Sequence, residues 1–190
     1  MRNFLIAFAV LAMFSACHHH DHEEELTANR TVLIYIAAEN NLDQRTYDTN
    51  FAEADLQQMK AGSLSIPKGN HLVVFVDRAD KNIKPYMAEL VEGETCDSVS
   101  FDEDVLTSDP ATLLSVMQQV IDKYPTNEYA LVLWGHASGW LVENDSVVSD
   151  VWNTPLQAPR RAYGRDTGNN TASQSLGSWM NIPSMARALS

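Results

Sequence analysis

Tyr129–Trp140, Y-A-L-V-L-W-G-H-A-S-G-W, is the stretch that decides the fold. Ala130 to Trp134 is a short apolar run of the kind that forms a strand buried on both faces. Gly135 breaks it, His136 follows at once, and Ala137, Ser138 and Gly139 make a small-residue turn before Trp140. Open α/β sheets place their chemistry at the carboxyl ends of buried strands, so His136 is a candidate catalytic residue. A histidine in an ordinary strand-ending turn would look the same locally.

Two further runs have the same character. Thr31 to Ala38 (T-V-L-I-Y-I-A-A) is apolar and rich in β-branched residues, and Leu72 to Val76 (L-V-V-F-V) ends in Asp77-Arg78. Glu39-Asn40-Asn41-Leu42-Asp43 closes the first run with turn formers. Taken singly, Asn40 and Asn41 each read as residues that hydrogen-bond the turn. Between the two runs, Thr49 to Ala61 carries helical spacing in Phe51, Ala52, Asp55, Leu56 and Met59, with Gly62 as its stop. Strand, helix, strand at this spacing implies parallel pairing.

Tyr86 to Val91 and Asp97 to Phe101 flank Glu92-Gly93-Glu94 as a small hairpin, with Cys96 expected at its turn. Asp109-Pro110 opens the clearest helix, Asp109 as cap and Pro110 at the first helical position. Its expected apolar face is Leu113, Leu114, Met117, Val120 and Ile121, and Pro125 ends it. The order predicts a three-layer α/β/α sandwich. Residues 142–175 read as one long polar loop carrying Arg160, Arg161 and Arg165. Ser184 to Leu189 starts a last helix, with Met185, Ala186 and Leu189 on one face. No strand follows to cover that face, so the sandwich is expected to be incomplete at its carboxyl end.

The chain has 190 residues, 45% of them hydrophobic, which suits one domain with a real core. Its net charge of -12 excludes nucleic acid as a natural partner, because phosphate binding needs a basic patch. Two cysteines, Cys17 and Cys96, make no disulfide framework. Cys96 precedes His136 and has no helix start or basic neighbour to activate it, so it reads as a structural thiol.

Residues 1–16 carry one positive charge, the apolar run Phe4 to Phe14 and then Ser15-Ala16 before Cys17. The run is too short to span a membrane. It resembles a bacterial lipoprotein signal, cut before Cys17, with Cys17 acylated. Residues 17–30 then form an acidic, histidine-rich tether whose metal affinity would be incidental. Its acidic run resembles the surface-export signal of Bacteroidetes lipoproteins, which implies a cell-envelope protein, lipid-anchored at the outer membrane or the surface.

Taken together, Val32 to Leu42 (V-L-I-Y-I-A-A-E-N-N-L), Val74 to Arg78 (V-F-V-D-R), Leu133 to Trp140 (L-W-G-H-A-S-G-W), Tyr163 to Asp166 (Y-G-R-D) and Trp179 to Ile182 (W-M-N-I) resemble the amino-terminal half of a clostripain-type cysteine peptidase. The resemblance implies a caspase-like, mostly parallel sheet over 31–190 and an endopeptidase acting on peptides and proteins after arginine or lysine. It implies His136 as the catalytic histidine, with backbone N–H groups of Gly135, Ala137 and Gly139 as oxyanion candidates. Ala137 departs from the glycine usual there. The family's nucleophile sits in an Asp-Ala-Cys motif on the next strand, which this sequence does not reach. A carboxyl-terminal chain is therefore expected to supply the cysteine, and the 190 residues alone are expected to be inactive. The family also resembles a zymogen, making Arg160, Arg161 and Arg165 self-cleavage candidates. Relatives vary in calcium dependence, which leaves calcium as an open alternative, but no calcium-loop pattern here supports it, so no cofactor is expected and no residue is assigned to a metal. The alternative is a non-catalytic surface lipoprotein that binds peptides or a protein partner. A serine triad through Ser138 or Ser146 ranks third, since neither sits in a strand-to-helix elbow.

Overall fold

The computed structural model describes residues 29–44, 49–137, 162–167 and 178–190. The expected signal (1–16), nearly all of the tether (17–30) and most of the 142–175 loop lie outside them. Among the described residues no helix is long and apolar enough to cross a membrane.

The sheet is built on β1 (Arg30–Ala38), which pairs in parallel with β2 (His71–Arg78) on one side and β5 (Glu128–Gly135) on the other. The antiparallel hairpin β3 (Tyr86–Val91) and β4 (Glu94–Ser100) extends it to the order β4-β3-β2-β1-β5. Alternate side chains of β1 serve two cores, because successive residues of a strand face opposite sides. Leu33, Tyr35 and Ala37 face α2 (Pro110–Lys123), while Ile34, Ile36 and Ala38 face α1 (Phe51–Ser63). Tyr35 stacks on Phe75 with ring centroids 4.8 Å apart. This is the expected three-layer α/β/α arrangement.

Local chemistry sets the helix ends. The Asn50 side chain accepts from Glu53 N–H at 2.9 Å and caps α1. Asp109 Oδ1 accepts from Ala111 N–H at 2.9 Å, with Pro110 opening α2. Gly62 does not stop α1. A side chain there would meet open space, and the helix runs on to Ser63, whose hydroxyl is anchored by Gly93 N–H.

Several expectations need correction. The strand with Tyr129 to Trp134 is not buried on both faces. It is the outer strand of the described sheet, and Val132 is 44% exposed. The buried face of α2 is Leu113, Val116 and Val120, whereas Leu114 and Ile121 are exposed; Ile121 stands beside Tyr129 and Leu131 of β5, where no described element packs. Cys96 lies within β4 opposite Glu89, since the hairpin turns at Glu92-Gly93, where both residues take positive φ. The first strand begins at Arg30, inside the expected tether.

The 142–175 segment is not one loop. Ala162–Asp166 forms β6, which pairs antiparallel with β7 (Ser178–Asn181). The last helix, α3 (Ile182–Ala188), is capped by Asn181 and packs against α2. It buries Ser184 and Ala188, while Ala186 and Leu189, expected on the inner face, are exposed.

Candidate active site

The carboxyl ends of β1, β2 and β5 lie side by side, with Ala37 opposite both Asp77 and Gly135. The polar residues of three separate sequence segments therefore meet at one rim. Gly135 makes the approach to β1 tight. Its φ is +153°, and a Cβ would stand 3.0 Å from the Ala37 carbonyl oxygen.

His136 follows, half-buried, and its backbone is clamped by the β6–β7 hairpin. Gly164 N–H donates to the His136 carbonyl at 2.8 Å, and Ala137 forms a bridge with Tyr163. Gly164 has φ +68°, a conformation that favours glycine. The Tyr163 hydroxyl reaches the carbonyls of Tyr35 and Trp134 at 3.1 and 3.0 Å, so one side chain joins β1, β5 and β6. Burial pushes that phenol well above its ordinary range.

The His136 ring is set by Asn41, whose Oδ1 lies 2.9 Å from Nε2. With that oxygen accepting, Nε2 carries the proton and Nδ1 keeps its lone pair. Asn41 is fixed in turn by Asn40. The buried Asn40 amide donates to the carbonyls of Ala37 at 3.0 Å and Arg165 at 2.7 Å, and its Oδ1 accepts from Leu42 N–H. Asp43 ends this turn and binds the Arg78 guanidinium through its carboxylate, with Ala79 N–H also donating to it. His136 is held below its ordinary value of 6.5, first by desolvation and then by the positive charge of Arg165, which favours the neutral ring at physiological pH.

Carboxylates gather at the same rim. One oxygen each from Glu39, Asp77 and Asp104 lies within 4.8 Å of the others. Asp166 is buried close by and accepts from Thr107 through both the N–H and the hydroxyl. Burial, then Asp166, Glu39 and Asp104, push the Asp77 carboxyl well above the usual carboxylate range.

Of the residues singled out in the sequence, His136, Gly135 and Ala137 stand together at the rim. Gly139, Arg160, Arg161, Cys17, Ser138 and Ser146 lie outside the described residues. Arg165 is inside β6, with its carbonyl bonded to Asn40. Cys96 is far away. Through Glu89, Val73 and Leu33 it stands level with Leu131, four strands across and five residues short of His136. At about 4.8 Å per strand and about 3.3 Å per residue, more than about 20 Å separates the two. Asn41 carries no signal of this role in the sequence, because nothing local to Asn40-Asn41 distinguishes a turn former from a partner of residue 136.

The comparisons with known proteins bear on this rim. Residues 34–175 match the clostripain family. In structure, the chain is similar to a B. fragilis cysteine protease, with 24% identity over 64% of this chain and 99% of that one, and a TM-score of 0.52. That likeness concerns the fold. It is also similar to a secreted C11 cysteine protease from Bacteroides thetaiotaomicron, solved in complex with an irreversible peptide inhibitor. There the identity is 27% over 85% of this chain, and the TM-score is 0.60. The match spans 39% of that protease's length. No curated protein matches the sequence.

Proposed function

The chain belongs to the clostripain family, whose similar solved structures are cysteine proteases, and from that premise we propose that it forms the histidine-bearing part of an endopeptidase cleaving after arginine or lysine. The observation that carries the reading is the His136–Asn41 pair, which leaves Nδ1 free to act as a base. In the reaction, Nδ1 takes the thiol proton of a cysteine, and the thiolate attacks the scissile carbonyl. The C–N bond breaks as the imidazolium returns its proton to the leaving amine. Water then hydrolyses the thioester, with His136 again as base. Backbone N–H groups between Gly135 and Gly139 would receive the oxyanion.

The nucleophile would come from a further strand laid beside β5, in the same chain or a companion chain. The exposed Tyr129, Val132 and Ile121 support an element in that place. Cys96 is too distant. Self-cleavage would fall after Arg160 or Arg161 rather than Arg165, whose carbonyl is engaged within a strand. Intact mass of the purified full-length protein checks this point. Acylation of Cys17 would hold the enzyme at the cell envelope with its site outside the cytoplasm. Turnover of an arginyl or lysyl fluorogenic peptide by the full-length protein tests the reading. Peptide binding without turnover would favour the non-catalytic lipoprotein instead.

A further inference from the structure

We infer that Arg78 is a positioning residue for His136: it grips Asp43, holds the turn after β1 in place and so sets Asn41 against the imidazole. As far as rate is concerned this role rests on the peptidase reading, whereas the state of the His136 ring can be read without turnover. Asn41 is exposed, and it meets His136 from a single short turn, Asn41–Asp43. Because it is exposed, packing does little to place it, and its position follows from the backbone on either side. Asn40 fixes the turn on the near side through the carbonyls of Ala37 and Arg165. Asp43 fixes it on the far side.

The Asp43 side chain is 2% exposed, so its charge has to be met inside the protein. Arg78 Nε donates to both carboxylate oxygens at 3.0 Å, and Nη2 donates to Oδ1 at 2.6 Å. Ala79 N–H donates to Oδ2 at 2.9 Å. The Asn50 amide donates to Oδ1 at 3.1 Å and to the Asp43 carbonyl at 2.9 Å. Arg78 can reach this carboxylate because it ends β2 level with Ala38, the last residue of β1, beside the turn that follows. Its Nη1 donates to Glu53 Oε2 at 2.7 Å, in the first turn of α1. One guanidinium therefore joins the end of β2, the turn after β1 and the start of α1. A planar fork is needed for this, and a lysine ammonium cannot match it.

The path from Arg78 to the imidazole is short. Only Leu42 separates Asp43 from Asn41, and the Asp43 and Gln44 N–H groups donate back to the carbonyls of Asn40 and Asn41 at 3.2 and 3.3 Å. A displaced Asp43 carboxylate would therefore shift the Asn41 backbone, with little chain between them to absorb the movement. Asn41 Oδ1 would then move off His136 Nε2, and the ring would lose the contact that selects its tautomer. A misplacement of about 1 Å is enough to slow a general base, even when it arises away from the chemistry.

The experiment uses the full-length protein, isotope-labelled at its histidine nitrogens, with the His136 signals identified as those lost in His136→Ala. At a pH where the ring is neutral, the parent should show a single tautomer with the proton on Nε2. In Arg78→Lys, with an unchanged circular dichroism spectrum, the two ring nitrogens should move toward the averaged shifts of exchanging tautomers. On an arginyl fluorogenic peptide, kcat of Arg78→Lys should fall roughly fivefold to tenfold, with KM within about twofold of the parent. Added to Asn41→Ala, Arg78→Lys should bring no further loss, because the contact it serves is already gone. Asp43→Asn, which keeps the side chain's shape and removes the charge that Arg78 grips, serves as the second variant, and the same changes are expected of it. Folded variants that keep the single tautomer and the parent's kcat would overturn the inference. So would an equal loss of rate from Arg78→Lys in the parent and in Asn41→Ala, which is the mark of a general structural role. A parent without turnover whose tautomer still depends on Arg78 would sustain the positioning role and remove the peptidase reading.

Discussion

Asn41 Oδ1 lies 2.9 Å from Nε2 of His136, a residue 95 positions further along the chain. The contact is made across the parallel β1–β5 pair, which brings the turn after one strand against the residue that ends the other. It fixes the ring's tautomer and its rotation. Asn41→Ala should therefore lower kcat of the full-length enzyme by on the order of tenfold to a hundredfold, with a much smaller change in KM. Asn41→Asp should restore much of the rate and raise the pKa of His136, because a carboxylate favours the imidazolium. Steady-state kinetics on an arginyl peptide separate the two variants.

The ring should titrate low. Desolvation is the larger cause and the charge of Arg165 the smaller. Both disfavour the protonated form, so the NMR midpoint of His136 should fall below 6.5, the ordinary value. In Arg165→Gln the midpoint should move up but stay below that value. The backbone carbonyl that Asn40 uses is unaffected by this change.

Gly135 is a place where geometry rules out a side chain. An added Cβ would press on the Ala37 carbonyl at 3.0 Å and would have to adopt φ +153°. Gly135→Ala should cost about 1–3 kcal/mol in a urea unfolding experiment. It should also lower activity beyond any loss of folded protein, because the shift is passed directly to His136.

The three parallel strands, β1, β2 and β5, were legible in the sequence because each is built on an apolar run, and parallel strands need such runs. The caps at Asn50 and Asp109 obey local rules and could be read locally, as Asp109 was. What depends on distant neighbours was harder to read. The strand with Tyr129 to Trp134 has the composition of a buried strand, yet it is half exposed where β5 borders the described sheet. Ile121 stands beside Tyr129 and Leu131 at the same open side, and Leu114 is equally apolar and exposed, so apolar spacing alone does not mark the inner face of α2. β6 was hidden in a polar stretch because Y-G-R-D pairs through its backbone, and only Tyr163 has an obvious burial signal. His136 could be found from its place after a strand. Asn41 and the Glu39–Asp77–Asp104 group could not, since their meaning lies in contacts between segments tens of residues apart.

Cys96 lies on β4, level with Leu131 and on the far side of the sheet from His136. Cys96→Ser should leave kcat/KM on an arginyl peptide within about twofold of the parent and should not alter labelling by a thiol-directed peptide inhibitor.

The most direct measurement compares the full-length protein with its His136→Ala variant on an arginyl fluorogenic peptide, after circular dichroism has shown both to be folded. The account predicts that removing the imidazole lowers kcat by roughly 10²-fold or more, the usual contribution of a general base. Equal turnover by the two proteins would contradict it.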